Sequence, residues 1–367
     1  MAPVEDTIWD LDEHTKAKHE ILSNYLKGWF PILARGSSRI VYIDGFAGPG
    51  VYSKGEEGSP IIALRTANEH MLRPHKWSEM VFVFIENDKM RSDNLKKVIK
   101  EKFPDLPERI KYSVISDEFE PTLMRIFDDL DSKDEKLAPT FAFIDPFGFS
   151  GFSMNLMQRL LSYDKCEILI TFMAGFIRRF LDELREPVLD SLYGISDWRQ
   201  IRTIMGDKTP HILQLYEKQL EECCGVTYTR SFEMINIHNQ VLYYLIFATK
   251  HWLGLKQMKE AMWRVDKRGH FSFSDRLGRS QSFLMDFQED QYWIPKAAEL
   301  VYNEFTGKTV KIPDIEKYVI TETEYIFRKS ILQYIEDKIP NAILEVTIPN
   351  RKRKKRSFPD DCTIIFK

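Results

Sequence analysis

The chain is short of three things: paired cysteines, uncharged apolar runs and net charge. Its four cysteines, Cys166, Cys223, Cys224 and Cys362, are scattered over 367 residues. They have neither the paired spacing of a zinc site nor the density of a secreted disulfide framework, and a reducing cytoplasm is the expected setting. No run approaches the roughly 18 uncharged apolar residues that span a bilayer, the stretch from Val241 to Ala248 being far too short. The first residues, Met1 to Asp6, are acidic where a signal peptide is basic and apolar, so neither export nor membrane insertion is expected. A formal net charge of -3 provides no global attraction to nucleic acid, and any such binding must come from a local basic surface.

What is present describes a folded protein with ample core: 43% hydrophobic and 13% aromatic residues, against 29% charged. The length exceeds one ordinary domain and suits two. Thr15 to Leu33 carries a wide apolar face at helical spacing. Strands at Arg39 to Asp44, Met80 to Ile85, Ile110 to Ile115, Thr140 to Ile144 and Cys166 to Phe172 then alternate with helices at Pro60 to Met71, Lys89 to Lys102, Phe119 to Leu130 and Ser153 to Leu161. This alternation predicts an α/β fold with a Rossmann-like parallel sheet.

From 174 to 224 the pattern turns helical. Two strands, Thr227 to Asn236 and Gln240 to Lys250, then form a predicted antiparallel hairpin, the order found in class I methyltransferases. A helix from His251 to Val265 closes this first domain, assigned to 1–287, and Asp266 to Phe287 reads as a linker. The second domain, 288–367, has predicted helices at Pro295 to Thr306, Pro313 to Val319 and Thr323 to Lys338, a short segment Thr309 to Ile312, and strands Ala342 to Ile348 and Cys362 to Phe366. Helices followed by a β-hairpin give the winged-helix pattern.

The richest motif runs Ile40-Val41-Tyr42-Ile43-Asp44-Gly45-Phe46-Ala47-Gly48-Pro49-Gly50, an apolar strand ending in an acid and a glycine-rich turn. Open α/β sheets bind ligands at this carboxyl edge. Asp44, Gly45, Phe46, Gly48 and Gly50 are therefore candidates for holding the methionine part of S-adenosylmethionine. The rival reading is a dinucleotide site, which needs a helix N-terminus directly after the glycines. Here Val51 to Gly58 intervenes before the helix starts at Ser59-Pro60, which favours the methyl donor. A purely structural turn is the remaining alternative.

Two more acids follow strands. Glu86 would accept from ribose hydroxyls and Asp117 from the adenine amino group, with Glu118 and Glu120 as alternatives to Asp117. A solvated strand-end acid is the bland reading of both. After the fourth strand, Asp145-Pro146-Phe147-Gly148 resembles the Asp-Pro-Pro-aromatic motif of enzymes that methylate amino groups of bases. There the carboxylate and the proline carbonyl accept from the amine while the ring stacks on the base. The second proline is missing, and a plain turn after a buried strand is the alternative.

Near the N-terminus His14, Thr15, Lys16, Lys18 and His19 form a polar cluster, with His14 and Lys18 on one helix face. By residue type it reads first as a cationic solvated face, and second as a lining of the pocket. Arg178 and Arg179 suit either a phosphate or the surface. Arg351-Lys352-Arg353-Lys354-Lys355-Arg356 sits between the last two strands, at the hairpin tip. Six adjacent cations repel and are expected to be solvated or to face an anion, so the tip is a candidate contact for a DNA or RNA backbone.

Together, His14 to Lys18, Tyr42 to Gly50, Gly55 to Pro60 and Phe143 to Gly148 resemble the three-Cys-motif partner (TcmP) family. The resemblance implies a class I methyltransferase-like protein, using S-adenosyl-L-methionine and acting beside an iron–sulfur, radical S-adenosylmethionine-like partner that carries a three-cysteine motif. It leaves the methyl acceptor open. The competing expectation is a non-catalytic adaptor that binds the donor and nucleic acid without turnover.

Overall fold

In the computed structural model, residues 7–71, 78–181, 185–266, 271–274, 289–349 and 352–367 are described. The chain divides into two compact units. The first ends at Ala261 and takes back a short piece beginning at Phe273, and the second comprises Met262–Ser272 and the remaining chain to Lys367. This division precedes the boundary at 287 expected from composition, which itself falls among residues outside those described.

The first unit opens with α1 (Glu13–Leu33) and β1 (Arg39–Asp44), followed by α2 (Ser59–Met71), β2 (Glu79–Ile85), α3 (Lys89–Lys102) and β3 (Ile110–Ile115). Next come α4 (Phe119–Ser132), β4 (Thr140–Ile144), α5 (Met154–Ser162) and β5 (Cys166–Phe172). The helical stretch contains α6 (Ala174–Ile177), α7 (Glu186–Tyr193) and α8 (Thr209–Cys224). The unit finishes with β6 (Tyr228–Ile235), β7 (Val241–Thr249) and α9 (Trp252–Val265), the last running past the division, and β8 (Ser272–Ser274).

The sheet order is β3-β2-β1-β4-β5-β7-β6-β8. β1 to β5 are parallel, and β7 inserts antiparallel between β5 and β6. The sequence expectation of five parallel strands and a reversed hairpin is met. β4 and β5 are buried along their whole length, which explains why neither alternates apolar and polar residues in the manner of a half-exposed strand. β8 is a correction, because it lies in the segment expected to be linker and adds an edge strand beside β6.

Local chemistry sets several boundaries. Asp88 caps α3 by accepting from the Arg91 amide at 3.0 Å, and the Ser153 hydroxyl caps α5 by accepting from the Leu156 amide at 3.1 Å. α7 ends at Gly194, whose φ of 70° is the left-handed cap that glycine adopts without steric cost.

α1 lies on the sheet through Ile21, Leu22, Tyr25, Leu26, Trp29 and Phe30, all buried. Each such side chain contributes roughly 1.5–3 kcal/mol of burial. Buried Glu167 on β5 accepts from Tyr25 Oη, from Trp29 Nε1 at 3.0 Å and from Thr249 Oγ1 at 2.7 Å. These bonds tie α1 to β5 and β7 and so fix where its N-terminal end stands.

The second unit contains α10 (Glu289–Phe305), β9 (Thr309–Lys311), α11 (Ile312–Glu322), α12 (Lys329–Lys338), β10 (Ile343–Thr347) and β11 (Thr363–Phe366). Its sheet is antiparallel with β11 in the middle, in the order β10-β11-β9. Trp293 stacks on Tyr325 at 6.0 Å and meets Trp263 edge-on at 5.0 Å. The helix expected from Thr323 begins instead at Lys329, because Thr323 terminates α11 and its hydroxyl accepts from the Tyr325 amide at 3.1 Å. Among the described residues, no helix is long and apolar enough to cross a membrane.

Candidate functional site

Asp44, Glu86, Asp117 and Asp145 stand at or just beyond the carboxyl ends of β1, β2, β3 and β4. The turn after β1 is stitched to its neighbours, with the Gly45 amide donating to the Phe143 carbonyl and the Ala47 amide to the Ile85 carbonyl, both at 2.9 Å. Gly50 has a φ of 85°, which favours glycine, and an added Cβ would lie 2.7 Å from Leu95 Cδ1, so that side chain would also have to shift.

Val51 to Gly58 proves to be an excursion whose ends meet. The Gly58 amide donates to the Gly50 carbonyl at 2.8 Å, and Val51 bridges Glu57. α2 therefore starts beside the glycine turn, contrary to the separation inferred from the loop's length. Loop length accordingly loses its force against a dinucleotide. Asp44 has no exposed surface and is held by the Tyr42 hydroxyl at 3.3 Å, the Phe46 amide at 3.4 Å and the Ser59 hydroxyl. Burial raises it from 3.8 to about 7, with Asp145 adding to the rise and the three hydrogen bonds opposing it. A carboxyl group seated at a helix N-terminus suits a cationic amine and repels a pyrophosphate. Asp44 has no exposed surface, whereas Ser59, which it engages, lines a cavity.

Glu86 is 4% exposed and accepts from the Gly48 amide at 2.8 Å and the Asp88 amide at 2.9 Å. Burial raises its carboxyl above the usual range, and the two amides resist that shift. Glu86 lines a cavity of about 450 Å³ together with Phe46, Asp117, Glu118, Phe119 and Phe147. Phe46 and Phe119 pack with ring centroids 5.5 Å apart. Asp117 borders the cavity but is engaged by the Glu118 amide first and by Arg125 second, which hold it below the usual carboxylate range. Of the alternatives, Glu120 is bound to Ser153, leaving Glu118 as the acid with no side-chain partner among the described residues.

A second cavity, of about 130 Å³, shares Phe46, Pro146 and Phe147 with the first. Lys18, His19, Gly48, Ser59 and Tyr243 help to line it. The polar cluster of α1 is therefore not a solvated face: His14, Lys18 and His19 are 6%, 5% and 6% exposed. Positions 14, 18, 21, 22 and 25 continue one helical stripe, which was the sequence signal for burial. Lys18 Nζ lies 2.5 Å from Asp145 Oδ2 and 5.5 Å from the centre of the Tyr243 ring. Burial first, and Lys18 second, lower His19 to about 3 against the pull of Asp145, so its ring is neutral. Burial likewise holds the Tyr52 hydroxyl well above its usual range.

The Asp145 carboxylate, assigned by sequence to an acceptor amine, is thus already paired with Lys18. Phe147 is 52% exposed, with Trp9 edge-on at 5.7 Å and the Arg91 guanidinium 5.8 Å from its ring. Trp9, Arg91 and Tyr52 line the site although the sequence motifs did not single them out, and Ser59, read from sequence only as a helix start, joins them.

In the second unit, the basic run is divided in its roles. Arg353 donates twice to Glu336 at 2.8 Å and lies 4.6 Å over the Phe358 ring, and Arg356 pairs with Asp337 at 3.2 Å. These two face carboxylates of α12, the second of the two expected settings for the cations, but the anions belong to the chain itself. Lys352, Lys354 and Lys355 are exposed, and Arg351 lies outside the described residues.

No family model matches the chain, and no curated protein does. The chain is similar to the solved structure of Trm1 from Pyrococcus horikoshii with S-adenosyl-L-methionine, at 10% identity and a TM-score of 0.37, covering 71% of this chain and 61% of that one. It is also similar to the O-methyltransferase from Bacillus cereus solved with SAH, at 13% identity and a TM-score of 0.35, covering 66% and 83%. A third is the precorrin-6y C5,15-methyltransferase from Geobacter metallireducens, at 11% and 0.31, covering 68% and 94%.

Proposed function

We propose that the chain is an S-adenosyl-L-methionine-dependent methyltransferase of the class I fold, acting on an amino group of a nucleic-acid base. The observation that carries this reading is the pair of cavities joined at Phe46, Pro146 and Phe147, with Glu86 in one and Lys18 and Asp145 in the other. The antiparallel insertion of β7 supports it, since a dinucleotide-binding sheet of the Rossmann type continues parallel.

The residues fit the donor's chemistry. Glu86, oriented by two amides, offers oxygens to ribose hydroxyls; Phe46 and Phe119 offer apolar faces; Glu118 or Asp117 stands near for an adenine amine. Ser59 and the glycine turn, with Asp44 behind them, receive the amino-acid end. When bound, S-adenosylmethionine supplies an electrophilic methyl group on a cationic sulfur. The acceptor nitrogen forms the new bond to carbon as the carbon–sulfur bond breaks and leaves its electron pair on sulfur, and the nitrogen's proton passes to Asp145. Lys18 holds that carboxylate in place, and the Pro146 carbonyl and Phe147 ring orient the amine.

The second unit, with its helix, strand, two helices and hairpin, is read as a winged helix whose tip lysines follow a phosphate backbone. The resemblance to three-Cys-motif partner proteins adds an iron–sulfur partner that resembles radical S-adenosylmethionine enzymes. One contact favours a second reading, a non-catalytic donor-binding adaptor: Lys18 already occupies the carboxylate that an amine would need. Calorimetry with S-adenosylmethionine and with NAD, followed by label transfer to RNA, DNA or the partner protein, tests both readings. The enzyme reading expects tight donor binding, no NAD binding and transfer to one acceptor. Donor saturation without transfer to any of the three would leave the adaptor, and binding of NAD alone would overturn both.

A further inference from the structure

A third cavity, of about 340 Å³, shares Phe147, Met173 and Tyr243 with the cavity that holds Lys18 and Asp145. It therefore opens on the place where an acceptor would meet the donor. Its size is at the small end of the range for ligand sites, roughly 300–1,000 Å³, which suits a single small unit.

Three kinds of group border it. Phe147, half-exposed, with Trp9 steeply inclined to it and the Arg91 guanidinium over its ring, presents an aromatic surface, with Phe176 as a second ring. The turn between β6 and β7 presents the exposed amides of Asn239 and Gln240. That turn is fixed: Asn236 Oδ1 accepts from the His238 amide at 2.9 Å and from the Gln240 amide at 3.0 Å. Asn239 itself holds a φ of 59°. Finally, Arg178 and Arg179 stand on the short helical turn that follows α6. Arg178 is 3.2 Å from Asp207, but both side chains are about half-exposed, at 47% and 62%, so the pair is weak and free to exchange. Arg179 is exposed and has no partner among the described residues.

We propose that this cavity receives one unstacked nucleotide of a single-stranded nucleic acid, with its base on Phe147, its edge at Asn239 and Gln240, and its phosphate at Arg178 and Arg179. The inference rests on the proposed methylation of a base and names the acceptor subsite. Aromatic faces accept any base by stacking, side-chain amides match the donor and acceptor pattern of base edges, and a guanidinium grips phosphate through paired hydrogen bonds. Enzymes that act on bases take the target out of its stack, and a single-nucleotide cavity beside the reacting point is what that requires.

The test is fluorescence anisotropy with labelled pentanucleotides, one ribo- and one deoxyribo-, on the full chain. Donor affinity is followed by calorimetry in parallel. Arg179→Ala should weaken pentamer binding roughly five- to tenfold, and the Arg178→Ala/Arg179→Ala double variant further. The slope of log affinity against log salt should flatten by about 0.7 for the one phosphate lost. Donor affinity should not change. Asn239→Ala/Gln240→Ala should alter preference among bases without altering the salt slope, and the ratio of the two pentamers separates RNA from DNA. Unchanged binding in the double variant, no binding of either pentamer by the wild type, or displacement of both by an acidic peptide of equal charge would overturn the proposal. Loss of donor binding by the wild type would instead strike the methyltransferase reading, leaving the pentamer result to stand separately.

Discussion

Lys18 Nζ and Asp145 Oδ2 lie 2.5 Å apart although 127 residues separate them in sequence. The pair joins α1 to the loop after β4 and places one cation among the acids of the carboxyl edge. Its side chains are 6% and 22% exposed, so it is shielded from solvent on most sides. Lys18→Met leaves a mostly buried carboxylate unpaired. Stability should fall by roughly 1–3 kcal/mol in urea denaturation. Single-turnover label transfer should fall by about tenfold or more, because Asp145 loses its orientation.

Glu86→Gln tests the donor side. The amide has one acceptor oxygen where the carboxylate bonds both Gly48 and Asp88. Donor affinity in calorimetry should drop roughly 10–100-fold, and thermal melting should show a loss of about 1–3 kcal/mol because one buried amide is left without its acceptor. Unchanged affinity would mean that the ribose sits elsewhere.

Asp44 gives a pH signature. Its folded pKa of about 7 exceeds the ordinary 3.8, so between those values the folded state holds more protons than the unfolded state. Its stabilising effect is complete below pH 3.8 and is lost as pH rises through about 7. Asp44→Asn should flatten the fall in stability across that window in denaturation series. A cationic ligand favours the ionised carboxyl, so donor binding near pH 6 should release a proton, visible as a binding enthalpy that changes with buffer.

Much of the fold was legible because the strong patterns were local. The bounds of β1, β3, α3, β4 and β5 follow directly from apolar runs, a capping aspartate and turn residues. The misses share a different cause. β8 has three residues in a polar stretch and exists through its neighbour β6, which a local pattern cannot show. Tyr325, Ile326 and Phe327 are buried in a loop, and their apolar run imitated a helix start. At the site, the four strand-end acids were visible from sequence, whereas Lys18 looked solvated because its partner is distant in the chain. The gap between Gly50 and Ser59 suggested separation, when the chain returns to where it left.

The divided basic run gives another prediction. Arg353→Ala removes two bonds to Glu336 and the contact with Phe358, and should lower the stability of the second unit by roughly 1–3 kcal/mol. Replacing Lys352, Lys354 and Lys355 together should leave stability within about 0.5 kcal/mol. If the tip contacts a nucleic-acid backbone, that triple variant should reduce the salt dependence of binding in filter assays.

Gly50→Ala combines a left-handed backbone with a contact to Leu95, and should cost about 1–3 kcal/mol. Thermal melting checks the loss, and donor binding should weaken in parallel because the turn moves.

The bond from the Gly48 amide to Glu86 makes the glycine turn and the Glu86 carboxylate one rigid assembly. A side chain already frozen by folding loses no rotamer freedom when a ligand arrives. On the proposed reading the donor end of this site is a mould set in advance, and adaptation to different acceptors falls to the exposed ring of Phe147.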